Sequence, residues 1–480
     1  MNRKMVAYFV GSVLRIEAML MLVPTAVSLI YRENEWIYLF AATALSYLAG
    51  YLLSFRKPKN MTFYTREGIT SVALGWILMS VFGAIPLWHG VPHIGFTDAL
   101  FETISGFTTT GASALTEVES LPKGLLFWRS FTHWVGGMGI LVFALALLPE
   151  ASGDSIYLMR AESPGPSVGK LVPKVRSTAK ILYEIYIAIT LIEMVILMFT
   201  GMSLYEASVV TFGTVGTGGF SIHNIGCVEY TTVQQVIITI FMVMCGANFN
   251  VYFLLVAKKY KEAFRSEEVL SYLGIYVVAV LAVAINIRNV FSSFGEALHH
   301  SFFNVASVMT TTGYASADFN TWPNFARTML LVMMIIGACA GSTAGGIKVS
   351  RIVIGFKTIL KELEHFVHPR SVKILKFEGK PIEHAVLRGV NVYFLTYFCV
   401  FAISILLVAL DGKDFATTIT SVIATFNNIG PGLEMVGPCG NYSQFSPFAK
   451  YVLMFDMLAG RLELFPMLLL FMPMTWRRQK

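Results

Sequence analysis

The sequence predicts an all-α polytopic membrane protein: four membrane-pore-membrane repeats in pseudo-fourfold arrangement, preceded by an extra N-terminal pair of transmembrane helices. Three observations predict it. The 480 residues are 55% hydrophobic and 14% charged, with a mean hydropathy of +0.64. A soluble chain carries about a quarter charged residues. Apolar runs of about twenty residues, enough to cross a bilayer, recur along the whole length. Four short glycine-containing stretches also recur at intervals of roughly a hundred residues, each after an apolar run too short to span, which marks an internal repeat.

In order, the first pair covers residues 8–30 and 36–53, joined by Tyr31-Arg32-Glu33-Asn34-Glu35. Arg3 and Lys4 precede it without a small-residue cleavage site, so it reads as an uncleaved span. Repeat one pairs a span at 69–89 and a short helix at 96–107 with a second span at 125–148. Repeat two has 181–200, 204–212 and 233–257. Repeat three has 269–287, 294–308 and a span from 325 that breaks in the small, glycine-rich run 337–348, because glycine is poor in helix interiors. An amphipathic stretch, 348–388, follows. Repeat four has 384–410, 415–425 and 447–474. The divisions are 1–66, 67–165, 166–265, 266–380 and 381–480.

Charge sets the orientation. With both termini inside, about 27 of the 36 Lys and Arg fall in inner loops or tails, and about seven fall outside, as the positive-inside bias requires. The net charge of +7 therefore belongs to short loops at a membrane and indicates no nucleic acid. The cysteines, Cys227, Cys245, Cys339, Cys399 and Cys439, form no C-x-x-C pair and no zinc spacing. Cys227 and Cys439 both fall outside, so a bridge is conceivable, and unpaired thiols are the simpler expectation.

The four stretches are Phe107-Thr108-Thr109-Thr110-Gly111-Ala112-Ser113, Gly213 to Ser221 with Thr217-Gly218-Gly219-Phe220-Ser221, Met309 to Ser316 with Thr311-Thr312-Gly313-Tyr314-Ala315, and Phe426-Asn427-Asn428-Ile429-Gly430-Pro431-Gly432. Glycine permits backbone angles that turn carbonyls toward an axis. Non-helical backbone at membrane depth survives only where it is buried in protein or lines a watery path. Four such turns at one depth can replace the hydration shell of a monovalent cation with carbonyl oxygens, and a preceding short helix aims its negative end at a cation. One stretch alone would equally suit close helix packing; four in series point to a pore. Thirteen residues before the four glycines stand Asp98, Glu206, His300 and Thr417; Asp98 and Glu206 fall near the outer starts of the short helices, as caps or as cation-attracting groups.

These residues resemble the TrkH/KtrB/HKT superfamily of potassium transporters, and its TrkH branch in particular, over essentially the whole chain. The resemblance implies K+ uptake across the bacterial plasma (inner) membrane, with one glycine per repeat lining the path: Gly111, Gly219, Gly313 and Gly430, with carbonyls also from Thr110, Gly218, Thr312 and Ile429. Glycine at all four positions resembles K+-selective members, whereas a serine in the first repeat marks some Na+-permeable relatives. The fourth stretch lacks the threonines, and its register is the least determined.

The resemblance also implies a gate: an intramembrane loop over Gly341, Ser342, Thr343, Ala344, Gly345, Gly346 and Lys348, and a positive charge from Arg461 near the pore. The loop is no P-loop, since its lysine does not follow the second glycine directly. An intramembrane arginine is costly and commonly functional; the plain alternative pairs Arg461 with Glu463 or Asp456. A homodimer, a cytoplasmic ring of TrkA-type nucleotide-binding regulatory subunits on the inner basic surface, and membrane lipid are the implied partners. K+ is cargo, and no organic cofactor is expected. His365 and His368 lack a third metal ligand and read as a solvated surface. Paired catalytic groups are absent from the pattern, so an enzyme is not expected. Obligatory symport with H+ or Na+, and a Na+-permeable variant, remain the competing mechanisms.

Overall fold

The computed structural model describes residues 1–58, 65–139, 175–370 and 374–476. Residues 59–64, 140–174, 371–373 and 477–480, which include the last part of the expected 125–148 span and the C-terminal tail, lie outside the described residues. The described residues are helical, with one two-stranded antiparallel hairpin among them, Lys376–Phe377 against Lys380–Pro381. Six described helices are long and apolar enough to cross a membrane.

Helices α1 (Arg3–Ile30) and α2 (Trp36–Ser54) form the N-terminal pair. They touch backbone to backbone: a Cβ on Gly11 would lie 2.6 Å from the Gly50 carbonyl oxygen, and one on Gly50 2.7 Å from that of Gly11. Small residues allow such approach where apolar burial gives no net drive between helices. The pair shares one apolar core with repeats one and four; repeats two and three share another.

Each repeat opens with a long helix: α3 (Thr65–Gly90), α6 (Val175–Phe199), α10 (Glu267–Asn286) and α14 (His384–Ala409). A short one follows: α4 (Phe96–Phe107), α7 (Leu204–Gly216), α11 (Phe294–Met309) and α15 (Phe415–Phe426). At 12 to 16 residues these rise about 18–24 Å, less than the hydrocarbon thickness. Caps start three of them: Ser203 and Glu206 form a capping box on α7, Ser293 caps α11 and Asp414 caps α15.

The closing helices are α5 (Lys123–Gly137), α8 (Thr232–Gly246), α12 (Asn324–Ile336) and α16 (Pro447–Arg461). All four stop 13 to 15 residues from their outer start. The sequence predicts unbroken spans at 233–257 and 447–474; the structure corrects both. After α8 the chain turns through 92° into α9 (Phe249–Val256). Asn248 makes that turn, its side chain capping α9 through the Asn250 N–H. After α16, Glu463 and Leu464 take positive φ before Phe465–Leu470. In repeat three the break is enlarged into the loop 337–348, which leads into the amphipathic helix α13 (Val349–Val367). The five cysteines are free thiols, with Cys227 buried and Cys439 exposed.

Candidate ion pathway

The four glycine stretches have one backbone conformation. Thr109, Thr217, Thr311 and Asn428 are left-handed at φ 55° to 56°, and two residues on Gly111, Gly219, Gly313 and Gly430 have φ of 76° to 93°. The residue between has negative φ in each case. Alternating hand on successive residues turns their carbonyls to the same side. A β-branched residue in the left-handed region is strained by about 1–2 kcal/mol. A shared bond holds it: the N–H before each glycine donates 2.8 Å to the carbonyl five residues back, Thr110 to Ser105, Gly218 to Gly213, Thr312 to Ser307 and Ile429 to Ala424. That bond places Ile429-Gly430 in register with the other three, although Asn427-Asn428 replace threonines.

The stretches surround one axis. A Cβ on Gly111 would strike the Gly218 carbonyl oxygen, one on Gly219 that of Thr312, one on Gly313 that of Ile429, and one on Gly430 that of Thr110. The relation passes from each repeat to the next and closes. Above it lies an open cavity of about 130 Å³ lined by all four glycines and the outer loops.

Side chains lock neighbouring stretches together. His133 on α5 donates Nδ1–H to the Gly106 carbonyl at 2.8 Å and accepts at Nε2 from the Phe220 N–H at 3.2 Å, which requires the Nδ1–H tautomer. The buried Arg129–Glu102 pair is 2.9 Å apart. Glu102 also accepts from Ser113 Oγ at 2.7 Å, and Arg129 donates to the Ser221 carbonyl at 3.1 Å. Tyr314 donates to the Val210 and Phe220 carbonyls, joining repeats three and two. Asn428 Nδ2 reaches Thr110 Oγ1 at 3.0 Å, and Tyr442 donates to the Gly430 carbonyl at 2.7 Å while its N–H reaches Ser113, so repeat four meets repeat one. The sequence reading missed Glu102, Arg129 and His133. Their signal was charge and imidazole inside apolar runs.

The residues thirteen places before the ring glycines each have a partner. Asp98 pairs with Lys450 at 2.6 Å. Glu206 closes its capping box, His300 Nδ1 lies 2.9 Å from Ser316 Oγ, and the Thr417 N–H is capped by Asp414 at 2.9 Å.

The loop crosses beneath the ring. The Gly345 N–H donates to Thr311 Oγ1 at 2.6 Å, and a Cβ on Gly345 would strike the Asn427 carbonyl oxygen. On the repeat-two side, the Cys339 N–H donates to the Gly246 carbonyl and the Phe249 N–H to that of Gly341, both at 3.0 Å, and Thr343 Oγ1 to that of Cys245 at 3.3 Å. Glu268 accepts from the Ala340 N–H at 2.6 Å. Ser342 donates to the Cys339 carbonyl, and Lys348 Nζ turns back to that of Ala344. Gly337, Gly341 and Gly346 have φ of 71° to 78°, and Lys348 85°. Arg461 donates to the carbonyls of Thr343 at 2.7 Å and of Gly136 and Gly137 at 2.6 Å, and to Thr109 Oγ1 at 3.3 Å. Of the acids offered to it by sequence, Glu463 is paired with Arg351 and Asp456 accepts from Ser404 Oγ at 2.6 Å.

The family profile described as a cation transport protein, TrkH, matches residues 37–290 and 276–478. The chain belongs to the TrkH family. Trk system potassium uptake protein TrkH of Escherichia coli K12 is 36% identical over 486 residues, covering 99% of this chain and 100% of the relative. Trk system potassium uptake protein TrkG of the same strain is 31% identical over 482 residues, with 99% of each chain covered. The crystal structure of the potassium transporter TrkH from Vibrio parahaemolyticus superposes with a TM-score of 0.89 at 31% identity, over 99% of this chain and 100% of that one. As a TrkH-family member the chain is a multi-pass membrane transport protein rather than an enzyme, and the fold class expected from its four repeats is the one observed.

Proposed function

We propose that this protein takes up K+ across the bacterial inner membrane through a ring of main-chain oxygens supplied by Thr110-Gly111, Gly218-Gly219, Thr312-Gly313 and Ile429-Gly430. The observation that carries the reading is the closed ring of glycine-to-carbonyl contacts, at the floor of the outer cavity. Carbonyl dipoles there replace the water of a monovalent cation, and the strained threonines are kept because they aim those dipoles. The relatives named as potassium uptake proteins support K+ as the ion.

In the same reading the loop from Gly341 to Lys348, with Arg461, is the barrier below the ring. A guanidinium under a cation path opposes entry electrostatically, and its bonds to Thr343 and Thr109 hold the loop closed. Opening comes from the inner face, where α13, the turn after it and the hairpin present Lys361, Arg370 and Lys380 to a ring of TrkA-type nucleotide-binding subunits. The termini lie inside by the basic-residue bias, two copies form a dimer, and lipid covers the apolar faces of α2, α6 and α14.

The test is 86Rb+ uptake by the purified chain in vesicles against external Na+. Uptake that K+ abolishes and excess Na+ leaves intact supports the reading. Equal competition by Na+ turns it toward a Na+-permeable carrier, and a reversal potential displaced by a proton or sodium gradient turns it toward symport.

A further inference from the structure

We propose that Glu119, His223 and Glu229 form a transition-metal site on the outer rim, and that Zn2+ bound there slows ion entry. Glu119 lies in the outer loop of repeat one, His223 and Glu229 in that of repeat two. One ligand atom of each lies within 4.8 Å of the others. His223 Nδ1 is 3.1 Å from Glu229 Oε2. In a tetrahedral zinc site with bonds of about 2.0–2.1 Å, neighbouring ligand atoms are roughly 3.3 Å apart, so one edge is already at that spacing. The exposed carboxylate of Glu119 already offers an oxygen within 4.8 Å of the other two ligand atoms. Imidazole with carboxylates suits Zn2+ and its neighbours, whereas hard monovalent ions take oxygen alone. Three protein ligands leave a fourth position for water.

The two loops are held together by a residue that is not a ligand. Asn224 donates its N–H to Glu119 Oε1 at 2.9 Å and its Nδ2 to Glu117 Oε1 at 2.8 Å, and accepts from the Val118 N–H at 2.9 Å. Glu119 is thereby fixed beside His223 before any ion arrives. The link to the pathway is short. His223 lines the outer cavity together with the four ring glycines. Its N–H donates to Ser221 Oγ at 3.0 Å, and Ser221 is two residues from Gly219.

Two effects follow from binding. The carboxylates carry two negative charges at the cavity rim, which concentrate cations at the mouth; a divalent ion cancels them. The metal also ties the outer loops of repeats one and two, which otherwise meet through Asn224. Protons compete with the metal for the imidazole. The effect on uptake rests on the transport reading above; the binding itself does not.

Calorimetric titration of the purified full chain with ZnCl2, with His223→Gln and Glu229→Gln beside it, tests the site. One Zn2+ per chain is expected. Outer-sphere changes cost metal sites about 10–100-fold in affinity, so losing a direct ligand weakens binding at least tenfold. Absence of binding in the parent, or unchanged binding in both variants, overturns the site. In vesicles, external ZnCl2 slows 86Rb+ uptake by the parent, and EDTA restores it, while His223→Gln is indifferent. Equal zinc sensitivity of parent and variant overturns the effect on entry. Vesicles with no uptake before zinc is added indict the transport reading instead, and the titration still decides the metal.

Discussion

Arg461 Nη1 lies 2.7 Å from the Thr343 carbonyl oxygen and 3.3 Å from Thr109 Oγ1. One planar cation thus joins the loop of repeat three to the left-handed Thr109 of the repeat-one stretch. Its other terminal nitrogen caps the end of α5 through Gly136 and Gly137.

Arg461→Ala is expected to raise 86Rb+ leak in vesicles lacking any regulatory subunit. A hydrogen bond to a charged group contributes about 1.5–3 kcal/mol, so losing one shifts loop displacement by about tenfold or more. Arg461→Lys keeps the charge and loses the fork, and falls between. Parental flux in a folded Arg461→Ala protein would remove this residue from the barrier.

Gly111→Ser is expected to reduce discrimination against Na+. The new Cβ meets the Gly218 carbonyl oxygen, and φ of 76° is unfavourable for serine. The ring opens on that side, and its oxygens are less well placed for K+. The readout is Na+ competition of 86Rb+ uptake, with parental competition as the contrary result.

Glu102→Ala leaves Arg129 buried without its carboxylate and removes the acceptor of Ser113 and Ala114. Breaking a buried pair costs about 3–5 kcal/mol. Thermal unfolding in detergent followed by gel filtration should show a lower midpoint. Glu102→Gln keeps an acceptor and should lose less; equal midpoints for all three proteins would refute the role.

Asp414 stands outside the membrane at the start of α15, and its hydrogen bonds to Thr417 hold its carboxyl below the usual range. A depressed folded value adds stability above the unfolded value of about 3.9, and that stability fades as pH falls through the folded value. Asp414→Ala should cost about 1 kcal/mol at neutral pH, and the gap between variant and parent should close below about pH 4. A gap that does not narrow as pH falls below the unfolded value would assign the effect to something other than the cap.

Much of this architecture was readable from local pattern. Phe96–Phe107 has the same limits in both readings, because a too-short apolar run bounded by Gly95 and a threonine run leaves little choice. The break after Ile336 announced itself in glycine. The breaks after Gly246 and Arg461 did not: Ala247-Asn248 and Leu462-Glu463-Leu464 carry no proline, and the first turn exists because Gly246 and Phe249 bond to a loop about ninety residues later. Pairing was also out of reach. Glu102 and Arg129 stand on different helices, and Arg351 finds Glu463 across 112 positions, so only folding reveals which buried charge answers which. The register at Gly430 came from the Ile429–Ala424 backbone bond, a feature blind to side-chain identity.

One chain carries all four quarters of the ring, and that has a cost and a freedom. In an assembly of identical subunits, any insertion is copied into every quadrant, and four plugs of twelve residues would compete for a single axis. Here the quarters are already separate in the gene, so among the described residues repeats two and four keep a bare bend while repeat three carries the twelve-residue loop, and repeat four contributes the arginine bonded to it.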